Sequence, residues 1–152
     1  GYIVHLGIVF MFIGFVGKAF DSEVEATMSR GDHTELAGFK FTLQEVEEKV
    51  RPNHNALVAE LNVEKDNKIV DTLNPEFRIY FPRTNREQQH SELDLQTGIM
   101  ADIYSVFSGA DHTRGLYAIK IMINPLVWWV WLGGYFLVAG TIIAIWPRKR
   151  KE

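Results

Sequence analysis

The sequence contains no cysteine, so several kinds of site can be excluded at once. Without a thiol the chain cannot form a disulfide, a zinc–thiolate centre or a cysteine nucleophile, whatever the redox state of its compartment. The sequence also has no glycine-rich phosphate loop and no serine in a nucleophile-elbow context. We therefore expect no self-contained active site in these 152 residues.

Charged side chains are missing from two long stretches, residues 1–17 and 125–147. An apolar run of this length is typical of a membrane-spanning helix, because about 20 residues are needed to cross the hydrocarbon core. We therefore predict transmembrane helices at residues 1–20 and 125–147. A signal peptide is the alternative for the first stretch, but it would need a basic segment before the apolar run, and none is present.

The orientation of these spans follows from the basic residues at positions 148–151, close after the second stretch. By the positive-inside rule, the tail of residues 148–152 is expected in the cytoplasm. Two spans then place residues 21–124 on the other side, which is the periplasm if the membrane is a bacterial inner membrane. That segment has 18 acidic and 11 basic residues, a formal charge of −7, and this sign argues against a nucleic-acid partner.

Alternation of apolar and polar residues predicts antiparallel strands between the two spans. Runs with period 2, bounded by Gly, Pro, Asn or Asp, are typical of strands with one buried face. Six or seven such strands favour a small barrel or sandwich. The expected fold class is membrane α+β, with two transmembrane helices flanking a small antiparallel β-rich extracytoplasmic domain. The runs are Phe39–Val46, Ala56–Glu64, Ile69–Val70, Glu76–Phe81, Leu93–Leu95, Ile103–Phe107 and Leu116–Ile121.

Two segments between these elements carry their own signals. The polar span from Arg83 to Ser91 is predicted to be a loop. At the start of the second helix, Pro125 is expected at the first helical position, with Asn124 before it as the N-cap. The junction between the last strand and the second helix should therefore be short and stiff.

Glycine and tryptophan are concentrated in the apolar stretches. Glycine lets other helices approach closely, although it is also frequent in membrane helices in general. Tryptophan is typical of the belt that anchors a helix at headgroup depth, and the alternative for the outer tryptophans is a flat aromatic surface against a porphyrin. The residues are Gly7, Gly14, Gly17, Gly133, Gly134 and Gly140, with Trp128, Trp129 and Trp131 at the outer interface and Trp146 at the inner one.

His5 stands out in the first apolar stretch. An ionisable side chain at membrane depth usually faces a partner, a cavity or a ligand, and neutral imidazole is a common ligand of haem iron. Lys18 follows thirteen positions later, which places His5 about 20 Å further toward the cytoplasmic side. The alternative is a histidine near the headgroups that hydrogen-bonds a neighbouring helix. Neither helix holds a second histidine, so a second axial ligand would come from another segment or chain.

Four other histidines, His33, His54, His90 and His112, lie in the segment between the helices. They are far apart in sequence and show no metal-ligand spacing such as a pair at i and i+4. We therefore predict that they are surface residues.

Several motifs resemble the C-terminal region of the CcmF/NrfE family of cytochrome c haem lyases. Tyr2–Gly7 (YIVHLG) opens an apolar helix, and Asn124–Gly134 (NPLVWWVWLGG) precedes a second apolar run and a basic tail. Leu73–Tyr80 (LNPEFRIY) and Asp102–Tyr104 (DIY) are similar to the family's outer domain. The resemblance covers essentially the whole chain.

This resemblance implies a role in cytochrome c maturation. The family takes haem from the chaperone CcmE and, with CcmH-type partners, joins the haem vinyl groups to the two cysteines of a CXXCH motif in apocytochrome c. Its members also hold a haem b within the membrane, proposed to reduce the iron of the incoming haem. A histidine in the motif that matches His5 is one axial ligand of that haem b, so His5 is implied as an iron ligand.

The sequence also departs from the family pattern. Family members are much longer, with more membrane helices, and their WWD haem-handling motif and substrate-haem histidines lie upstream of this region. Trp128, Trp129 and Trp131 are not that motif. The chain is therefore expected to be a C-terminal fragment or one product of a split gene, which needs the missing upstream helices and is inactive alone in thioether synthesis.

Two functional hypotheses follow for the inner membrane. In the first, the chain is the C-terminal part of a haem lyase, His5 supplies one ligand to a membrane haem b, and the outer domain docks maturation proteins or apocytochrome c. In the second, the chain is a membrane-anchored periplasmic interaction module without haem, and His5 makes a structural hydrogen bond.

Overall fold

The computed structural model describes residues 1–80, 88–111 and 113–146. Along these residues an α-helix comes first, nine β-strands follow, and a second α-helix comes last. A short 3-10 turn, Lys18–Phe20, directly follows the first helix. The elements are α1 (Tyr2–Gly17), β1 (Ser22–Met28), β2 (His33–Leu36), β3 (Phe39–Val50), β4 (His54–Lys65), β5 (Lys68–Leu73), β6 (Glu76–Tyr80), β7 (Gln88–Gln96), β8 (Ala101–Asp111), β9 (Leu116–Pro125) and α2 (Val127–Ile145).

The chain forms two compact units. The first contains both helices together with the short segment Thr97–Asp102, and the second contains Ser22–Gln96 and Ile103–Ile123. The last two residues of this segment, Ala101 and Asp102, are also the first two residues of β8. Both helices are long and apolar enough to cross a membrane.

In the helical unit, the backbones of α1 and α2 meet at glycines. Gly7 faces Gly133, whose carbonyl oxygen would lie 2.8 Å from a Cβ added at Gly7. An added Cβ at Gly14 would lie 2.8 Å from the Val130 nitrogen. Larger side chains at these positions would separate the helices, and close backbone approach is the usual function of small residues between membrane helices. Five of the six predicted glycines are buried: Gly7, Gly14, Gly17, Gly133 and Gly140.

The second helix begins differently from the prediction. Asn124 and Pro125 belong to β9, and α2 starts at Val127 after Leu126, which has a left-handed backbone with φ of 64°. No side chain caps this helix start, so the expected Asn124 cap is wrong. Strand β9 can extend to Pro125 because Leu126 alone makes the turn into α2. Its left-handed conformation is rare for an L-residue and is seldom predictable from sequence.

The second unit is an antiparallel sandwich with strand order β1-β9-β8-β7-β6-β4-β3-β2, and β5 also pairs with β4. Strand β7 connects the two sheets. Its residues Gln88–Glu92 pair with β6, whereas Leu93–Gln96 pair with β8. Phe77 on β6 and Phe107 on β8 then meet in the interior, with ring centroids 5.9 Å apart.

The core of the sandwich consists of inward-facing residues from alternating strand positions. On β4, for example, Ala59, Leu61 and Val63 are completely buried. The remaining large core side chains are contributed by both sheets and are Met28, Phe41, Leu43, Leu73, Phe107, Ile119 and Ile121. Removing one large aromatic from such a core costs roughly 3–5 kcal/mol, so these residues hold the two sheets together.

The expected fold class, two apolar helices flanking a small antiparallel β domain, is confirmed. Strands β1 and β2 were not predicted, since glutamates dilute the alternation in Ser22–Met28 and His33–Leu36 has only one large apolar residue. The loop prediction for Arg83–Ser91 is wrong for Gln88–Ser91, which belong to β7. Residues 83–87 and Phe81 lie outside the described residues.

One edge of the sandwich is open. Strand β5 pairs with β4 on one side, and no strand pairs with its other side in the described part of the chain. Ile69 and Val70 on this strand are exposed. The pairing register shifts at Val70, so the strand has a local bulge there.

The glycine contacts between the helices predict opposite effects for two neighbouring substitutions. Gly133→Ala would bring a Cβ within 2.6 Å of the Gly7 carbonyl oxygen, and we expect a loss of about 1–3 kcal/mol from this overpacking. Gly134→Ala places its Cβ in open space, and we expect a gain of up to about 1 kcal/mol from helix propensity. Reversible unfolding of the helical unit in mixed micelles would measure both. Equal stabilities for the two variants would contradict the close contact.

Candidate functional site

His5 lies on the side of α1 that does not face α2. Its neighbours Val4 and Gly7 contact α2 at Gly140 and Gly133, whereas the His5 side chain is exposed. The helix pair therefore does not shield His5, as expected for only two helices. An exposed imidazole on a membrane helix has to find a partner outside this pair of helices, because hydrocarbon cannot hydrogen-bond it.

A hydrogen bond fixes the ring of His5. The Nδ1 atom lies 2.9 Å from the carbonyl oxygen of Gly1, one helical turn earlier. A carbonyl can only accept, so Nδ1 carries the proton and donates it. The Nε2 atom then keeps its lone pair. This is the tautomer of a histidine that binds metal through Nε2, with the other ring nitrogen oriented by a hydrogen bond.

An apolar stripe continues from His5 along the open face of α1. Val9, Phe12 and Val16 follow at i+4, i+7 and i+11, which places them on one side of a helix. All three are exposed, Phe12 by 64% of its surface. A flat, apolar group bound at the His5 Nε2 could lie along this stripe without meeting a charge.

These residues fit one half of a haem site. A neutral imidazole with a free Nε2 supplies one axial ligand, and the stripe supplies an apolar wall. Among residues 1–80, 88–111 and 113–146, no group of three or more histidine, cysteine, aspartate or glutamate side chains could hold a metal ion.

The outer tryptophans face in different directions. Trp129 packs against Phe10 of α1, with ring centroids 5.6 Å apart. The Phe10 ring also contacts the ring of Phe136 on α2, with centroids 5.3 Å apart. Trp131 is 66% exposed and faces away from α1. Trp129 thus belongs to the packing between the helices, whereas Trp131 is available to lipid, in agreement with an aromatic belt.

The histidines of the sandwich do not form one site. His33 and His90 are exposed as predicted, and His112 lies outside the described residues. His54 is buried, with only 6% of its surface exposed, so the surface prediction is wrong for this residue. Its position at the start of a long buried strand, β4, explains the difference. The Tyr80 ring packs against the His54 ring, with ring centroids 4.8 Å apart. The side-chain oxygen of Asn53 accepts a hydrogen bond from His54 Nδ1.

A charged cluster lies beside His54 on β6 and its neighbours. The Glu76 carboxylate accepts from Arg78 Nε at 2.7 Å and from Arg51 Nη2 at 3.2 Å, while Arg78 also contacts Glu92 at 3.1 Å. Sequence reasoning missed this cluster because its members come from strands β6 and β7 and from Arg51 in the turn between β3 and β4. Alternation on Glu76-Phe77-Arg78 does place the glutamate and Arg78 on one face, which is the signal that could have found them.

The pKa of Glu76 is lowered from its usual value of 4.5. Burial of the carboxyl raises this pKa, but the hydrogen bond from Arg78 and the positive charges of Arg78 and Arg51 outweigh it. The pKa of Arg78 is raised in turn, mainly by its hydrogen bond to Glu76. These two shifts stabilise the charged forms of Glu76 and Arg78, and the cluster is best explained as a structural clamp that joins β6, β7 and the turn after β3.

Comparison with known proteins places this arrangement in context. The sequence model of a family described as the CcmF C-terminal beta-sandwich matches residues 19–125. The chain is 30% identical over 148 residues to the cytochrome c-type biogenesis protein CcmF of Pseudomonas aeruginosa, a match that covers 97% of this chain and 22% of that protein. It is 28% identical over 150 residues to CcmF of Escherichia coli, covering 97% of the chain and 23% of that protein.

Two further similarities agree with these. The chain is 28% identical over 151 residues to the cytochrome c-type biogenesis protein NrfE of Haemophilus influenzae, with 99% of this chain and 23% of that protein covered. A solved structure of the cytochrome c heme lyase CcmF matches with a TM-score of 0.70 at 20% identity, over 95% of this chain and 24% of that one. That structure shows a shared fold. The chain spans less than a quarter of the length of each of these proteins.

The lowered pKa of Glu76 predicts how the sandwich responds to acid. A carboxyl with a lowered folded-state pKa stabilises the fold above its unfolded pKa, near 4.5, and loses this contribution as the pH falls through the folded value. We expect Glu76→Gln to destabilise the sandwich by about 1–2 kcal/mol at pH 7 and to reduce the loss of stability on acidification.

Denaturant midpoints followed by circular dichroism at pH 7 and pH 3 would measure this effect. The exposed Glu60 on β4 provides the matched control, since Glu60→Gln should leave the pH dependence unchanged. Identical pH profiles for Glu76→Gln and the unaltered chain would contradict the assigned clamp.

Proposed function

The chain belongs to the CcmF/NrfE family of cytochrome c biogenesis proteins, and from that premise we propose that it forms the C-terminal part of a cytochrome c haem lyase. Such an enzyme attaches haem covalently to the CXXCH cysteines of apocytochrome c. Because the chain spans less than a quarter of its relatives, the attachment reaction itself requires the remaining segments. This part contributes a membrane anchor, a β-sandwich and His5.

The role of His5 in this proposal is to hold one axial position of a haem b in the membrane. The single observation that carries it is the hydrogen bond from Nδ1 to the Gly1 carbonyl oxygen, which leaves Nε2 with a lone pair on the open face of α1. That bond also fixes the ring plane. When bound, the haem would supply an electron carrier within the bilayer.

The partners in this proposal are those of a maturation system. The β-sandwich would lie in the periplasm and contact the haem chaperone CcmE, a CcmH-type protein or apocytochrome c, while the missing helices of the same protein cover the open face of α1. The excess of acidic residues in the segment between the helices argues against a nucleic-acid partner.

A membrane-anchored interaction module without haem is the second candidate. The observation in its favour is that the sandwich has a complete core and a charged clamp of its own, so it could act as a docking domain independently of any cofactor. In that case the hydrogen bond of His5 to Gly1 would be purely structural.

An optical spectrum distinguishes the two candidates. With the chain restored to a full-length family protein, we expect His5→Ala to abolish or strongly perturb the reduced b-type absorption, because the Nε2 ligand is lost. The matched control is His33→Ala, which removes an exposed histidine on β2 and should leave the spectrum unchanged. An unaltered spectrum in His5→Ala would reject His5 as an iron ligand and favour the interaction module.

Reporter fusions test the topology. A reporter fused after Glu152 should be active only if it works in the cytoplasm, because the basic tail is expected there. A reporter inserted between Asp66 and Asn67, in the turn between β4 and β5, should be active only if it works outside. The reverse result would move His5 to the other leaflet and overturn the proposed haem position.

A further inference from the structure

The segment Thr97–Asp102 belongs to the helical unit although β7 and β8 flank it in sequence. Residues 97–101 carry no charge, and two large apolar side chains lie at the tip of this turn, Ile99 and Met100. They are exposed by 61% and 70%. Adjacent exposed apolar side chains of this size can mark a surface that contacts a partner or a membrane.

The turn is attached directly to the start of α2. The backbone N–H of Leu126 donates to the carbonyl oxygen of Met100 at 2.9 Å, and Val127 begins the helix. The tip of the turn is therefore at the depth at which the second apolar helix begins. This attachment is by backbone, so it does not depend on a flexible side chain.

The same end of the helix pair carries the usual markers of a membrane interface. Lys18 directly follows α1 at this end. Its side chain is 84% exposed and forms an ion pair with Asp21. Trp128 and Trp131 lie in the first turns of α2. Lysine and tryptophan both concentrate at headgroup depth, where one part of the side chain is apolar and the other is hydrated.

Polar backbone groups of the turn are hydrogen-bonded within the protein, which suits an environment with little water. The buried Asp102 carboxylate accepts a hydrogen bond from the Gly98 N–H at 3.1 Å, and Met100 uses its carbonyl for Leu126. A Cβ at Gly98 would lie 2.6 Å from the Ala101 carbonyl oxygen, so the turn is tight and fixed. Satisfied backbone groups lower the penalty for entering an apolar phase.

We propose that Thr97–Asp102 is a third membrane contact of this chain, with Ile99 and Met100 immersed in the interfacial layer of the leaflet where α2 begins. The occupant of this surface is lipid. Its apolar pair continues the lipid-facing surface of α2 at the level of Trp128 and Trp131. This contact is independent of haem and goes beyond the proposed function, since it concerns how the chain sits in the bilayer.

Site-specific fluorescence quenching tests the contact. Because the chain has no native cysteine, an introduced cysteine is the single site of labelling. The full chain would be reconstituted into vesicles of phosphatidylcholine and phosphatidylglycerol, with Met100→Cys carrying an NBD label. Two matched variants bracket the result: Val138→Cys, 61% exposed near the middle of α2, and Val50→Cys, 77% exposed at the end of β3.

We expect NBD at position 100 to be blue-shifted, quenched by nitroxide lipids labelled near the headgroup and protected from aqueous iodide. Position 138 should respond to deeply labelled lipids, and position 50 to iodide alone. The proposal is overturned if position 100 behaves like position 50. Protection of position 100 from both quenchers would also overturn it, because protein would then cover the turn. An absence of lipid quenching at position 138 would overturn it as well, because α2 would then lie outside the bilayer.

Discussion

Direct contact between the backbones of α1 and α2 is the constraint on which the other features of the helical unit depend. Five buried glycines remove the side chains that would separate the two helices. Because this contact uses one face of α1, the remaining face with His5, Val9 and Phe12 is left open. The exposure of His5 is thus a consequence of where the glycines are, since a helix has only one face for each partner.

The same contact positions the start of α2. A Cβ added at Gly17 would clash with the Pro125 carbonyl oxygen, so Pro125 lies tightly against the end of α1. Leu126 must then reverse the chain within one residue, and it does so with a left-handed backbone. In an L-residue this conformation costs about 1–2 kcal/mol, which the helix contacts and the bond to Met100 offset.

The sequence was sufficient to predict the fold class and most strands. Long apolar runs and period-2 alternation are local signals, and His5 was visible because its neighbours are uniformly apolar. The misses have a common cause in non-local structure. His54 is buried by Tyr80 from another strand. The Glu76 clamp joins β6, β7 and the turn after β3. Asn124 belongs to the end of β9 and does not cap α2. The family resemblance is confirmed, whereas the assignment of His5 to haem remains a proposal.

The open side of β5 affects whether copies of the domain associate through their sheet edges. An unpaired strand edge offers free backbone donors and acceptors to a strand of a neighbouring molecule, and molecules confined to a membrane plane meet often. The bulge at Val70 interrupts the regular spacing of these groups, and Lys68 and Asp71 place charges beside it. Irregularity and charge at this edge disfavour runaway sheet growth between copies, so the domain can keep apolar Ile69 on its surface without polymerising.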